Sequence, residues 1–559
     1  MNLSSKTLSS VGIKEIWGLI KPWWKSDEKK LAWMGVIFLI TLSLFSVYIG
    51  VILNEWSRDF FNALEQKNLT EFFHLVRIFF IIVAVFLLEV CTRHYFMMWY
   101  GFRWRRWLTR KISSQWFDSS AYYKIHLLSE NTDNPDQRIA NDIAQYTSQS
   151  VSLFMNFFRE GVNFVTFSVI LWGLSDIIYL KIFGCSLPIY GSLVWAALLY
   201  AFLGMIIVLK VGRPLIGLDI ISEKVEANFR YRLMRIRERR EEIVKLQGEM
   251  FEQHRLNESF LDIANNFYKI LRQTIYINLF QNFHINGQMF IPLMIVGGRY
   301  FSGAITLGIL MQIRGIFAEV VGSLNLFMQS YIEIAGWLAS IKRICSFEDS
   351  LNQVKTTHYN IPLKGDSIKV KDLTIQTPDQ CTILKLSNFS LNKGERTLLK
   401  GASGLGKTSL IRVLSGIYPY FIGKVVTPGM GHLFIVPQRA YMPLGTLRQA
   451  LSYPREVFDN AFIEKAMKMC QLNHLVNALD ELDDWQNRLS LGEQQRVNFV
   501  RILLHKPQWI IMDEPTSNLD RKTAIHLMDI LVKSLPTASI LVISHQQDEF
   551  IKDFSIVNL

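Results

Sequence analysis

Apolar positions follow two regimes along the chain. Over about the first three hundred residues they gather into long runs with few charges. Over the last two hundred they fall into short strands and helical stripes between polar stretches. A helix needs about 20 apolar residues to cross a bilayer, and residues 31–53 hold 23 positions without a charge. Further runs at about 78–100, 152–175, 182–209, 274–298 and 303–340 predict six spans in all, the last continuing as one long helix. Ahead of them, residues 1–30 set Trp17, Trp23 and Trp24 among Lys14, Lys21 and Lys25. That mixture predicts an amphipathic segment lying on the membrane interface. No small-residue cleavage site precedes the first run, so an uncleaved membrane protein is expected.

Between 347 and 366 the chain turns polar, which predicts a linker from a membrane domain (31–346) to a second domain (367–559). Beyond it strands and helices alternate, as in a parallel α/β sheet. A short apolar strand, Thr397, Leu398 and Leu399, leads into Gly401, Ala402, Ser403, Gly404, Leu405, Gly406, Lys407, Thr408 and Ser409. An apolar-periodic segment follows (Leu410, Ile411, Val413, Leu414). Strand, glycine-rich loop and helix at this spacing form a phosphate-binding loop. Glycines let backbone N–H groups turn inward around phosphates, and the helix N-terminus adds partial positive charge. Lys407 can then reach the β- and γ-phosphates, and the Thr408 hydroxyl can ligate Mg²⁺.

Composition agrees with this division. Half the residues are apolar and 19% charged, and the net charge is +12. Basic residues cluster beside the apolar runs, which favours an anionic membrane surface over nucleic acid as their partner. They also fix orientation. The stretch 54–73 carries only Arg58 and Lys67, whereas Arg103, Arg105, Arg106, Arg110 and Lys111 follow the second run. Lys210, Arg213 and six arginines between 230 and 240 follow the fourth. The positive-inside rule makes these segments and the N-terminus cytoplasmic, and six spans return the chain to the side where ATP is found. The arginine run interleaves with Glu238, Glu241 and Glu242, and Glu241 to Lys245 is a favourable i,i+4 pair. A solvated, salt-bridged helix face is expected there rather than a nucleic-acid site. The five cysteines are odd in number, widely spaced and without a CxxC, which excludes a disulfide framework or zinc site of known pattern.

Ionisable residues inside spans are functional candidates. Glu89 and Arg93 stand one turn apart and are expected to pair; Arg159 and Glu160 are adjacent and are not expected to face each other. Arg314, Glu319 and Glu333 lie along the sixth run, where they either line a central cavity or pair and snorkel. His284 is expected to be a hydrogen-bonded packing residue. In the cytoplasmic segment, Asn134-Pro135-Asp136-Gln137 has the order of a helix start: N-cap, Pro at N1, acid at N2, Gln at N3.

Further pieces follow the phosphate loop in order. Gln438 stands 31 residues beyond Lys407 in Val436-Pro437-Gln438. Leu489-Ser490-Leu491-Gly492-Glu493-Gln494-Gln495 opens a helix. The buried-strand run Trp509-Ile510-Ile511-Met512 ends in Asp513-Glu514, with Ser517-Asn518-Leu519-Asp520 directly after. A second such run, Ile540 to Ile543, ends at Ser544-His545. Both strands end in polar residues on the sheet edge where open α/β folds bind ligands.

This ordered set resembles the ATP-binding cassette transporters: Walker A, Q-loop, LSxGE signature, Walker B with its glutamate, D-loop and H-loop histidine. The resemblance implies an α-helical membrane domain of six transmembrane helices, in the exporter-like type IV layout, fused to an α/β P-loop NTPase nucleotide-binding domain. It implies ATP and Mg²⁺ as cofactors. Thr408 would ligate the metal directly, Asp513 would hold it through water, and Gln438 would touch it or the attacking water while sensing the membrane half. Glu514 would be the general base and His545 would contact the γ-phosphate. Ser490 and Gly492 would bind the partner subunit's ATP, with Asp520 in the adjoining D-loop, so a chain with one cassette is expected to work as a homodimer. One departure stands out. The stretch Thr374–Asp379, where many relatives stack adenine on an aromatic, has none; Tyr359 lies too far upstream and Phe389 reads as strand core.

Four stretches resemble one subfamily, which joins peroxisomal fatty-acyl-CoA half-transporters with bacterial proteins linked to uptake of peptide antibiotics and cobalamin. They are 54–64 (NEWSRDFFNAL), 134–139 (NPDQRI), 226–230 (EANFR) and 437–448 (PQRAYMPLGTLR). The compact chain favours a bacterial inner-membrane protein. The expected function is an ATP-driven transporter in the lipid bilayer for a bulky amphipathic or hydrophilic solute such as a peptide, cobalamin or acyl-CoA, without a nucleic-acid partner. Direction stays open. The alternative is a membrane-anchored ATPase that regulates a partner protein; six spans with long cytoplasmic helices speak against an anchor, which needs only one or two.

Overall fold

The computed structural model describes residues 12–128, 134–175, 178–182, 185–357, 360–402, 404–429, 431–454, 458–544 and 554–559. The chain divides into two compact units, Met1–Ile125 with Asn131–Gln353, and His126–Glu130 with Val354–Leu559.

The first unit is helical. Helix α1 (Ile13–Trp24) leads to α2 (Lys29–Glu65) and α3 (Leu69–Phe117). Lys67 takes a left-handed backbone (φ 53°) to turn the chain, and the Asn68 side chain caps α3 by accepting from the Glu71 N–H. Short α4 (Ala121–Leu128) and α5 (Pro135–Gln137) precede a π-turn over Arg138–Asp142 and then α6 (Ile143–Leu174). Strands β1 (Ile178–Ile182) and β2 (Cys185–Ile189) pair antiparallel before α7 (Ser192–Glu238). There follow α8 (Arg240–Lys245), α9 (Glu249–Gly287), α10 (Phe290–Phe301), α11 (Leu307–Gln329) and α12 (Tyr331–Thr356).

Among the described residues four helices are long and apolar enough to cross a membrane: Lys29–Glu65, Leu69–Phe117, Ser192–Glu238 and Leu307–Leu326. The third and fifth expected spans fall outside that set. Arg159, Glu160 and Asn163 dilute α6, and the run 274–298 is split by the break between α9 and α10 at Gln288–Met289. The fourth span begins later than expected, because 185–189 are strand and the left-handed Gly191 (φ 66°) starts the helix. The sixth divides at Ser330, and its helix then runs to Thr356, ten residues into the expected linker.

Two subfamily stretches acquire a physical role here. From α2, Glu65 and Asn62 accept from the Leu307 and Gly308 N–H groups (2.9 and 3.0 Å), capping α11 from outside. A Cβ on Gly308 would sit 2.1 Å from the Arg58 carbonyl, so only glycine lets the helices approach this closely. Trp56 donates to the Leu75 carbonyl at 2.8 Å and stacks on Phe60. In the second stretch, Asn134 stands at the start of α5 with Pro135 at N1, but its side chain makes no capping bond. Buried Arg138 instead pairs with buried Asp142 at 2.5 Å, and Arg343 of α12 grips the same carboxylate with two bonds (2.7 and 3.0 Å).

The N-terminal helix packs into the helical unit. Trp23 is fully buried, donates to the Tyr100 hydroxyl at 3.2 Å, and packs on Trp104 and Trp107. Glu89 and Arg93 pair at 2.7 Å, as their spacing predicts. Arg159 and Glu160 also pair, at 2.6 Å, against expectation: the long guanidinium bends back across the 100° that separates helical neighbours. Asn163 donates to Glu319 and Ser323 of α11, and Ser323 to Glu160, so these polar groups join two helices. Ser152 donates to Glu333. The His284 ring stacks on Tyr200 at 4.2 Å, over Gly204. The exposed Glu241–Lys245 pair forms as predicted.

The second unit is α/β. Its strands are β3 (Leu363–Lys364), β4 (Ile368–Gln376), β5 (Thr382–Leu391), β6 (Arg396–Lys400), β7 (Phe421–Thr427), β8 (Leu433–Val436), β9 (Gly445–Thr446), β10 (Leu482–Asp483), β11 (Trp509–Asp513), β12 (Ser539–Ser544) and β13 (Ser555–Asn558). Its helices are α13 (Lys407–Leu414), α14 (Leu447–Ser452), α15 (Asn460–Met469), α16 (Trp485–Arg488), α17 (Leu491–His505) and α18 (Arg521–Ser534). A five-stranded parallel sheet has the order β13-β6-β12-β11-β8. Its central strands are buried throughout, as unbroken apolar runs in parallel sheets are. Leu410 and Leu414 of α13 pack against Ile511 and Ile543 on one face together with the mixed sheet β3-β7-β4-β5. Val497 and Val500 of α17 and Leu527 of α18 cover Ile510 and Ile540 on the other.

Candidate functional site: a phosphate-binding loop and the signature helix

Strand β6 delivers the chain to the loop 401–406. Gly404 (φ 87°) and Gly406 (φ 83°) are left-handed, and Gly406 is the N-cap of α13. A Cβ on Gly406 would also press to 2.7 Å from Ile383. Both conformation and space therefore require glycine there. Lys407 is buried, and its ammonium donates to the carbonyls of Gly401 (2.6 Å) and Ala402 (3.3 Å), which holds it over the loop. Thr408 donates to Asp513 at 3.1 Å, so the loop meets the end of β11. Ser409 lies in the first turn of α13 and Leu405 on the exposed side of the loop. Ser403 and His545 lie outside the described residues, as does Tyr359.

Burial raises the Asp513 carboxyl above its ordinary range; the Thr408 hydrogen bond opposes this and the Glu514 charge adds to it. The Asp513 carboxylate and the Thr408 hydroxyl beside it are hard oxygen donors, a pair that suits Mg²⁺. Glu514 has a left-handed backbone (φ 47°), a strained state for a glutamate, fixed by its N–H donating to the Ile543 carbonyl at 2.9 Å. Gln438, just past β8, donates to the Glu514 carboxylate at 2.8 Å. The structure thus brings together Lys407, Thr408, Gln438, Asp513 and Glu514 around one sheet edge.

The signature stretch forms a capping box. Ser490 caps α17, accepting from the Glu493 N–H, while Glu493 accepts from the Ser490 N–H (2.9 Å) and hydroxyl (2.8 Å). Gly492 lies where a Cβ would be 3.0 Å from the Asn518 carbonyl. Asp520 caps α18, accepting from the Lys522 and Thr523 N–H groups at 3.0 Å. Hydrogen bonds from the Thr523 side chain foremost, and from these N–H groups, hold its carboxyl below the usual range. In the stretch without an aromatic, Thr377 and Cys381 close a tight turn by mutual hydrogen bonds, and Phe389 is buried in the core.

Sequence reading missed the braces between these parts. Gln495 donates to Ser517 and the Glu514 carbonyl and accepts from the Asn518 N–H, tying α17 to the residues after β11. Gln494 donates to the Gln486 and Leu489 carbonyls, and Gln486 accepts from the Met442 N–H. Buried Arg501 grips the carbonyls of Tyr441 and Ala450, with no carboxylate partner among the described residues, and burial pushes its guanidinium down to about 10. The adjacent glutamines after the signature were a signal; Arg501, alone in an apolar stripe, gave none.

The ABC transporter transmembrane region 2 family matches residues 19–301, and the ABC transporter family matches residues 384–517. The chain is 32% identical over 533 residues to the inner membrane ABC transporter ATP-binding protein YddA of Escherichia coli (strain K12), covering 94% of each. It is 27% identical over 586 residues to ABC transporter D family member 2, chloroplastic, of Arabidopsis thaliana, covering 91% of this chain and 80% of that one. In fold it is similar to a bacterial Atm1-family ABC exporter with ATP bound, at TM-score 0.73 and 17% identity, covering 94% of this chain and 93% of the other.

Proposed function

The chain belongs to the ABC transporter family, and from that premise we propose that two copies form a homodimer that moves a bulky amphipathic or hydrophilic solute across the bacterial inner membrane. The relative named as an inner membrane protein supports the location. Helical membrane domain and cassette share one chain, and the cassette is an ATPase coupled to transport.

The observation that carries the mechanism is the meeting of loop and strand ends: Thr408 on Asp513, and Gln438 on Glu514. Backbone N–H groups of 401–409 and the α13 N-terminus receive the phosphates, and Lys407 turns its ammonium to them. Thr408 and Asp513, with Gln438, would hold Mg²⁺, which supplies neutralisation of phosphate charge. Glu514 accepts a proton from water as the water oxygen bonds to the γ-phosphorus and the bond to the bridging oxygen of ADP breaks. Its fixed backbone keeps the carboxylate aimed at that water. Gln438, released from Glu514, can follow the nucleotide. Ser490 and Gly492 present donors at the N-terminus of α17 to the partner's γ-phosphate. Closure of the two cassettes on ATP drives the helices, and hydrolysis resets them.

The test is transport and ATP turnover in vesicles with Glu514→Gln. Loss of both is expected, and undiminished turnover would refute the mechanism. A screen of cargo-stimulated ATPase over peptides, cobalamin and acyl-CoAs identifies the solute.

A further inference from the structure

At the signature, the donors meant for a phosphate already hold an anion of the chain's own. Both the N–H and the hydroxyl of Ser490 donate to one oxygen of Glu493. The other oxygen of Glu493 lies 2.8 Å from Nε2 of His474, on the short helical turn Asn473–Ala478. A γ-phosphate docking on Ser490 must therefore share its donors with a carboxylate and approach a like charge. His474 is half-exposed, and its ring meets this carboxylate. The ionisable groups of α17 are Glu493, Arg496, Arg501 and His505, and those of α15 are Glu464, Lys465 and Lys468; Arg501 and His505 face the Ala450 and Ser452 carbonyls. Of these, it is Glu493 that His474 contacts; Arg496 is turned to the Gln471 carbonyl.

We propose that His474 is a positioning residue for the signature serine. When its imidazole is protonated it offsets the Glu493 charge and draws that carboxylate to itself, so that Ser490 gives its hydroxyl proton to the partner's γ-phosphate. Closure on ATP is then favoured by one proton per site. This deepens the proposed function and rests on its placing of Ser490 at the partner's nucleotide.

The experiment measures KM for ATP and kcat of the full-length protein in liposomes between about pH 6 and pH 8, across the histidine range. In the wild type KM should rise about three- to tenfold from the acid to the alkaline end, the span expected when one proton-linked charge is lost. His474→Gln should hold the wild type's alkaline KM at every pH. His474→Arg, with a permanent charge, should hold the acid KM at every pH. Glu493→Gln, which keeps the capping box without the charge, should also lose the slope. A merely structural histidine would shift all values together and leave the slope in place. A wild-type slope that persists in His474→Gln, or a flat wild-type profile with normal turnover, would overturn this inference alone. A wild type without ATP turnover would overturn the proposed function and the inference with it.

Discussion

Glu514 concentrates two demands in one residue, a reactive carboxylate and a backbone that most side chains avoid. Its left-handed backbone is fixed by the sheet, so Glu514→Gln should keep the fold while turnover drops about 10²–10⁴-fold, the range for a lost general base. Lys407→Ala removes a cation held over the loop. Nucleotide affinity should fall about 10- to 100-fold, as for a lost charged hydrogen bond of about 1.5–3 kcal/mol; equilibrium binding of ATP reads this. Cysteines offer a third check. Cys381 is exposed, whereas burial pushes the Cys470 thiol up to about 12. Alkylation at about pH 8, near the ordinary thiol range, should modify Cys381 and spare Cys470 until the cassette unfolds, as mass spectrometry would show.

At the scale of elements, strands and the phosphate loop were legible because each is written locally: unbroken apolar runs for β11 and β12, glycines at fixed offsets for the loop. The braces were not, because they join residues far apart in the chain. Arg501 and Ala450 are 51 positions apart, and Asp142 and Arg343 are 201. Helix ends show the same limit. The run 182–209 hides a strand, since strand and span are equally apolar and only the left-handed Gly191 separates them. The long-range pair is also the testable one. Asp142→Ala leaves buried Arg138 and the end of Arg343 without their carboxylate. Removing one partner of a buried ion pair costs about 3–5 kcal/mol, so the thermal midpoint of the purified protein should fall by several degrees. Arg138→Met with Asp142→Leu should recover much of that loss.

For the whole molecule, two regimes of hydrophobicity were enough to separate a membrane domain from a cassette, and ordered motifs were enough to identify the cassette. The number and limits of spans were less legible. Charged and amide side chains on α6 satisfy one another across helices, so a span here need not be uniformly apolar. If the chain works as a pair, the purified protein should elute at twice the protomer mass by light scattering, with and without ATP. A persistent monomer that still hydrolyses ATP would refute the homodimer.

The bracing of α17 has one more outcome. Met442 hangs from Gln486, Gln486 from Gln494, and Gln494 belongs to the turn that Ser490 begins, while Gln495 of the same turn holds the backbone of Glu514. A lever pinned at both ends obeys thermodynamic reciprocity: whatever factor the neighbour's nucleotide lends to the chain's own, it receives back in equal measure. Occupancy of the pair by ATP should therefore depart from a simple hyperbola, and cutting the rod with Gln494→Ala should bring the curve back towards one while both pockets still fill.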